Sequence, residues 1–267
     1  MVLKKLPRAL GAGGPGVDTV LERSRVRPGD QVTGQVHVEG GDHDVDVEHI
    51  AVGLVTGVAA GDTEFCRAAV SGPLRLAAGE RRSIPFSVDV PWETPVTSVD
   101  GRHLPGMTLG TRTELSVANA VGHTDLDPLH VTPLTSQERV LAAFARLGFV
   151  CAKGDVGQGR IQGLHQELPF FQELGFRPPE TRAGTVGEVG LSFVADRHHL
   201  AVVLEADRRG AAFGEGGDDF GRWIFPHETA IRTDWEGLVD GWLAELPAHA
   251  SRRPQRVSGV TPMWMER

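Results

Sequence analysis

The stretch from Gln31 to Val38 alternates polar and apolar residues with a period of two, and it directly follows Arg27-Pro28-Gly29-Asp30. Proline presets φ and glycine permits positive φ, so the four residues before the stretch favour a tight turn. Val32, Val36 and Val38 then share one face, as in a half-buried strand. The pattern predicts an antiparallel hairpin and directs the chain towards folds built from short strands.

Other segments repeat this combination of apolar alternation and turn residues. Further strands are predicted at Val17 to Glu22, Val45 to Val58, Phe65 to Val70, Ser83 to Val90, Thr111 to Val121, Phe149 to Lys153, Gly159 to Phe171, Val186 to Phe193 and Leu200 to Asp207. Pro85 marks an edge strand or a bulge, because proline cannot donate to a sheet ladder. Short strands separated by turns indicate antiparallel sandwiches, not βαβ units.

Two segments have helical spacing instead. Val140, Leu141, Phe144 and Leu147 fall on one helical face, with Thr135 or Ser136 as the predicted N-cap and Gly148 as the stop signal. A second helix, from Asp234 to Leu246, is predicted to be capped by Thr233 or Asp234 and to end before Pro247.

A chain of 267 residues is long enough for two domains that each bury a core. The predicted fold class is all-β, with two antiparallel β-sandwich domains, a short connecting helix and a C-terminal amphipathic helix. The predicted division is an N-terminal segment at 1–16, a first sandwich at 17–132, the connecting helix at 133–148, a second sandwich at 149–232, and the C-terminal helix and tail at 233–267.

Charge and cysteine content restrict the partners and the compartment. A formal net charge of −8 argues against nucleic acid and anionic membranes as partners. Cys66 and Cys151 form no CxxC pair, which favours a reducing compartment. Residues 2–8 lack the unbroken apolar core of a signal peptide, and no segment reaches membrane-spanning length. The predicted location is therefore cytoplasmic, without stable membrane insertion.

The common catalytic motifs are missing. The chain contains no GxSxG elbow, no P-loop and no GxGxxG after a strand. His227-Glu228 begins like a zinc-binding HExxH helix, but Ile231 occupies the position of the second histidine. The sequence thus predicts no catalytic residue and no cofactor.

The densest polar stretch runs from Asp42 to His49. Four candidate metal ligands lie in it: His43, Asp44, Asp46 and His49. Carboxylates at alternate positions could hold a hard cation, although calcium sites need six to eight oxygen ligands gathered in a loop. The competing interpretation is a solvated strand face, whose charges discourage aggregation.

Candidate partner-binding residues lie on the C-terminal helix. Trp235, Leu238 and Trp242 belong to an aromatic and aliphatic stripe that either docks on the second domain or meets a partner protein. The Pro, Gly and acidic residues of Pro91 to Pro105 and of Gly210 to Gly221 suggest two adjustable binding loops.

Several motifs, in this order along nearly the whole chain, resemble the sporulation-control protein family of bacteria. The resemblance rests on Val17 to Glu22, Pro28 to Val38, Gly106 to Leu115, Asp125-Leu126-Asp127-Pro128, Leu168 to Glu173 and Glu205 to Gly210. It implies two arrestin-like sandwiches, no enzymatic activity, and a regulatory or adaptor role in sporulation, development or cell division.

The resulting prediction is a regulator that binds other proteins through strand edges, through the groove between the sandwiches and through end loops. The partner is unnamed, and a homodimer stays open. One alternative is a metal-dependent hydrolase or small-ligand-binding protein using the His43 to His49 stretch. Another is peripheral membrane association through Leu3 to Leu6.

Overall fold

The computed structural model describes residues 8–9, 13–58, 61–118, 123–183, 186–207 and 219–249, and strands predominate in them. The first half contains β1 (Arg8–Ala9), β2 (Gly16–Leu21), β3 (Arg25–Val26), β4 (Gln31–Glu39), β5 (Val45–Val58), β6 (Gly61–Ser71), β7 (Leu74–Leu76), β8 (Arg81–Asp89), β9 (Ser98–Val99), β10 (Arg102–His103), β11 (Leu109–Val117), β12 (His123–Pro128) and β13 (His130–Val131). The second half contains β14 (Val150–Gln158), β15 (Phe170–Arg177), β16 (Glu188–Ala195), β17 (His199–Asp207) and β18 (Asp219–Pro226). The helices are α1 (Thr135–Arg146), α2 (His227–Arg232) and α3 (Trp235–His249). The predicted mostly β class is confirmed.

The first half is built from two larger antiparallel sheets. One has the strand order β1-β2-β4-β8, and the other has the order β12-β11-β5-β6 with β7 also paired to β5. Inward positions such as Val32 and Val36 of β4 and Ile50 and Leu54 of β5 are fully buried, as period-two alternation requires. Pro85 lies on β8 at the edge of its sheet, as predicted, so its missing N–H costs no ladder bond there.

The second half differs from the predicted second sandwich. Its described strands form one antiparallel sheet with the order β14-β15-β16-β17-β18. Helices supply the second layer: the Phe144 ring of α1 lies 4.6 Å from that of Phe176, and Trp235 of α3 packs edge-on against Phe225. The apolar face of the sheet is covered partly by these helical side chains and partly by the first half, which Phe170 and Gln172 contact, so no second sheet is needed to bury it.

Two local predictions need correction, and a third is confirmed. Gly159 to Phe171 is mostly a loop, because Gly159 and Gly163 adopt φ values of +119° and +76° that interrupt an extended strand. The N-cap of α1 is Leu134, whose N–H is bound by the Gln137 side chain at 2.8 Å. Gly148, at φ +84°, follows the end of that helix as predicted.

The C-terminal helix starts as expected and ends later. Asp234 accepts the Gly237 N–H at 3.0 Å, which confirms it as the capping side chain of α3. The helix continues to His249 instead of ending before Pro247. Pro247 lies inside this helix, where it has no N–H to donate to the carbonyl of Leu243 four residues earlier.

One continuous core joins the two halves. Buried side chains of both sandwich sheets, of α1, of the C-terminal sheet and of α3 belong to a single contact cluster. The predicted division at 17–132, 133–148 and 149–232 stays a prediction, with α1 lying inside the connecting range.

Candidate functional site

The predicted acidic and histidine stretch opens β5 on the surface of the first half. His43 is exposed in the preceding turn. Asp44 accepts the Ala78 N–H at 3.0 Å and pairs with Arg75 at 3.1 Å, and these hydrogen bonds lower the pKa of its carboxyl group. Asp46 is exposed and lies opposite Arg75 in the ladder. Asp44 is therefore already engaged by protein donors.

His49 belongs to a separate surface network. Its Nε2 lies 3.2 Å from Glu114, which also binds Arg67 at 2.6 Å. The Arg67 hydrogen bond lowers the pKa of Glu114. Within the described ranges, no group of three or more His, Cys, Asp or Glu side chains is placed to hold a metal ion. The four predicted ligands are thus not gathered into one centre.

The C-terminal helix stripe faces the protein's own sheet. Trp235 is 2% exposed, its Nε1 donates to Ala230 O at 2.7 Å, and its ring packs against Trp223. Leu238 and Trp242 are partly buried and also touch the core. Of the two interpretations of this stripe, docking on the second half of the chain agrees with these contacts. Trp235 is too deeply buried to contact a partner protein.

The segment from Pro91 to Pro105 lies largely in the contact between the halves and is not an open loop. Glu93 accepts the N–H groups of Glu167 and Leu168 at 2.7 and 2.8 Å. Burial raises the pKa of Glu93, while these two backbone hydrogen bonds act in the opposite direction. A side chain from the first half therefore fixes the loop between β14 and β15.

Gln172 makes a second connection in the same place. Its amide donates to Val96 O at 2.7 Å and accepts the Val96 N–H at 2.9 Å. Phe65 and Phe170 also meet edge to face, with ring centroids 5.5 Å apart. We call the contact formed by Phe65, Glu93, Val96, Phe170 and Gln172 the seam. These residues form direct contacts where the groove between the halves was predicted.

His227 adds a polar connection beside the seam. Its Nε2 donates to the Asp196 carbonyl at 2.8 Å, since a carbonyl only accepts, and its Nδ1 lies 2.9 Å from the Ser136 hydroxyl. The Trp92 ring lies 5.9 Å away from the imidazole. With both nitrogens engaged, His227 ties α2 to α1 and is not placed as a metal ligand.

A cleft of about 10 Å³, close to the volume that one water molecule needs, remains at the seam. Its lining residues are Trp92, Glu93, Thr94, Pro95, Gln137, Gln172 and Phe193. Sites for drug-sized ligands enclose about 300–1,000 Å³. The cleft is below that range.

The two cysteines have no catalytic activation. Both are free and partly buried. Burial raises the pKa of both Cys66 and Cys151, so each remains a thiol at neutral pH.

The outermost strand of the C-terminal sheet carries exposed apolar side chains. β18 pairs with β17 and is last in the strand order of the described sheet. Phe220 and Ile224 are 61% and 55% exposed, and Arg222 lies between them on the same face. The sequence pattern did not reveal this strand, because its first three residues, 219–221, belong to the glycine-rich stretch predicted to be a loop, and that part of the prediction is wrong. Residues 210–218 of that predicted loop lie outside the described residues.

Comparison with known proteins places the chain in a family. A family model described as SpoOM protein matches residues 3–210. The chain belongs to the Spo0M family. The sporulation-control protein Spo0M of Bacillus subtilis strain 168 is 31% identical over 215 residues, which are 77% of this chain and 80% of that protein. The crystal structure of Bacillus subtilis Spo0M superposes with a TM-score of 0.75 at 26% identity, covering 88% of this chain and 99% of that one.

The family match confirms the resemblance seen in the sequence. The Spo0M family model includes the seam residues and ends before β18, α2 and α3. The arrestin-like assignment of the sandwiches stays a prediction, since the match with Spo0M shows a shared, mostly β fold. None of the helices in the described ranges combines the length and apolar content needed to cross a membrane.

Proposed function

We propose that this chain is a non-enzymatic regulatory or adaptor protein that acts in sporulation or a related developmental step by binding another protein. Membership of the Spo0M family supports the process, because the Bacillus subtilis relative is called a sporulation-control protein. The proposal places this role in the cytoplasm, where the free Cys66 and Cys151 would stay reduced.

The exposed edge at β18 carries the binding part of the proposal. An edge strand presents backbone donors and acceptors that can pair with an extended peptide. Phe220 and Ile224 add large apolar side chains on one face of this strand. A partner strand laid against β18 would gain backbone hydrogen bonds and apolar contacts together.

The groove between the halves is a poorer candidate. Glu93 and Gln172 already satisfy backbone groups across the seam, and Phe170 fills it with an aromatic ring. A partner that entered there would have to displace these contacts. The surface strand needs no such rearrangement.

In-cell crosslinking with mass spectrometry, in a sporulating host that lacks its own family member, tests the proposal. We expect the unmodified protein to restore normal sporulation in this host and to crosslink to one main protein. Phe220→Lys and Ile224→Lys should lose both effects, because a lysine buried under a partner opposes apolar contact. Leu126→Lys is the matched control, since Leu126 is 50% exposed on β12, an edge strand of another sheet.

Unchanged capture and sporulation in both β18 variants would rule out this edge as the binding surface. Loss of capture in Leu126→Lys to the same extent would indicate a general effect of added charge. The thermal stability of all three purified variants shows whether each one folds.

A further inference from the structure

Several polar side chains lie in the otherwise apolar core of the first sandwich, where β2 crosses β11 and β12. The residues facing inward there are Thr19, Thr111, Thr113 and Asp125, with exposed fractions of 5%, 1%, 1% and 6%. Thr113 lies opposite Asp125 in the β11–β12 ladder, and Thr111 lies opposite Asp127. We call these five residues the polar core cluster. Most other inward positions of the sandwich hold Val, Ile or Leu.

Within this cluster, the Asp125 carboxylate and the Thr111 hydroxyl make few hydrogen bonds with the described residues. The hydroxyls of Thr19 and Thr113 lie 2.6 Å apart and bind each other. Asp125 accepts the Thr19 N–H at 3.4 Å, the one hydrogen bond to its carboxylate from the described residues. The Thr111 hydroxyl is buried and has no hydrogen-bond partner among the described residues. A buried carboxylate with so little compensation is costly, as is an unpaired hydroxyl.

The donor set has a definite chemical preference. Carboxylate and hydroxyl oxygens are hard ligands, which suit Ca²⁺ and not the thiolate- and imidazole-preferring metals. No cysteine or histidine belongs to the cluster. In the part of the chain that the structure describes, no third acidic side chain completes a metal-binding group, so threonine hydroxyls and backbone carbonyls have to supply the remaining ligands.

We propose that the polar core cluster binds a hard divalent cation of the calcium class, held by the Asp125 and Asp127 carboxylates and by the hydroxyls of Thr19, Thr111 and Thr113. The positive charge of the cation would neutralise the buried Asp125 carboxylate, and the Thr111 hydroxyl oxygen would be one of its ligands. The cation would also join β2 to β11 and β12, and thereby the two sheets of the sandwich. This site is distinct from the exposed His43 to His49 stretch.

The test uses purified full-length protein treated with a chelator and then titrated with CaCl₂, MgCl₂ or NaCl at constant ionic strength. We expect Ca²⁺ to raise the melting temperature by at least about 5 °C at about a hundred times its Kd. Elemental analysis after removal of free metal should find about one calcium per chain, the ratio that a single site predicts. A shift of equal size with NaCl would overturn the divalent assignment.

Two variants locate the effect. Asp125→Asn and the near-isosteric Thr111→Val should both fold and should lose most of the calcium-induced shift. Asp125→Asn should also melt at the same temperature as the chelated wild-type protein or higher, because it removes a buried charge. Asp46→Asn, in the exposed acidic stretch, is the matched control and should keep the full shift.

Three results of these measurements would decide against the calcium site. No calcium-induced shift in the wild-type protein, or a full shift in folded Asp125→Asn, would overturn the proposal. Loss of the shift in Asp46→Asn but not in Thr111→Val would assign the binding to the surface and would also overturn it. If Asp125→Asn fails to fold, Thr111→Val decides in the same way.

Discussion

The side-chain amide of Gln172 completes the backbone hydrogen bonding of Val96. It donates to the Val96 carbonyl and accepts the Val96 N–H, so a residue of the C-terminal sheet takes the place of a neighbouring strand for the first half. Both residues are buried, at 9% and 1% exposure. The two halves are therefore joined by a specific polar contact as well as by apolar packing.

Replacing Gln172 with Leu should destabilise the whole protein. The leucine fills a similar volume but leaves the buried N–H and C=O of Val96 unpaired, which costs about 1–3 kcal/mol. Urea unfolding followed by tryptophan fluorescence measures this free energy. Gln35→Leu, at an exposed position of β4, is the control and should change it by less than about 0.5 kcal/mol. An equal effect at both positions would contradict the assigned role of Gln172.

Truncating Trp235 should have a larger effect than truncating Trp242. Trp235 is almost fully buried against Trp223 and Phe225, so Trp235→Ala should cost about 3–5 kcal/mol of unfolding free energy. Trp242 is partly exposed on the same helix, and its alanine variant should lose less. Thermal or urea unfolding of the two variants checks the order. The reverse order would mean that α3 does not dock through Trp235.

Two glycine substitutions should have opposite signs. Gly148 has φ +84° and an added Cβ would lie 3.2 Å from Pro179, so Gly148→Ala should cost about 1–2 kcal/mol. Gly241 lies within α3, where an added Cβ would have no heavy atom within 4 Å, and Gly241→Ala should stabilise the protein by about 0.5–1 kcal/mol. Calorimetry of both variants measures the two changes. Destabilisation by Gly241→Ala would contradict the open environment of that position.

Glu173 should make stability fall as pH rises through the acidic range. Burial raises the pKa of its carboxyl group, and Glu188 and Asp155 add to the rise while Lys153 opposes it. The folded state thus holds this proton more tightly than the unfolded state does. Its contribution is fully present below the unfolded pKa and is lost as pH rises through the folded pKa.

Comparing Glu173→Gln with the wild-type protein isolates this contribution. The variant should show a smaller decrease in unfolding free energy between pH 4 and pH 7, and it should be slightly more stable at pH 7. Glu180→Gln, at an exposed position, should follow the wild-type curve. A variant curve parallel to that of the wild-type protein would contradict the effect of burial at Glu173.

Much of the first half could be predicted from local pattern. The Pro-Gly-Asp turn directly precedes β4, and the alternating valines lie in that strand. The predicted strand from Val45 to Val58 is β5. The amphipathic spacing of Val140 to Leu147 likewise located α1. These patterns are reliable because side-chain periodicity follows directly from backbone geometry.

The residues of the polar core cluster show strand periodicity in the sequence, but this periodicity alone does not predict that they are buried. Thr111 and Thr113 continue the inward alternation of Leu115, and Asp125 and Asp127 alternate in the same way. Polar residues with a strand period can face solvent or the interior, and the sequence does not distinguish the two. The burial of Thr111, Thr113 and Asp125 appears only when β2 is placed across β11 and β12.

The sequence by itself determined the mostly β class, the positions of many strands and the connecting helix, because each depends on the order of neighbouring residues. Only the tertiary structure decided that the second half is one helix-covered sheet, that Glu93 and Gln172 join the halves, and that Phe220 lies on an exposed edge. Those features depend on contacts between residues far apart in the chain. Local periodicity carries no information about which distant partner a side chain meets.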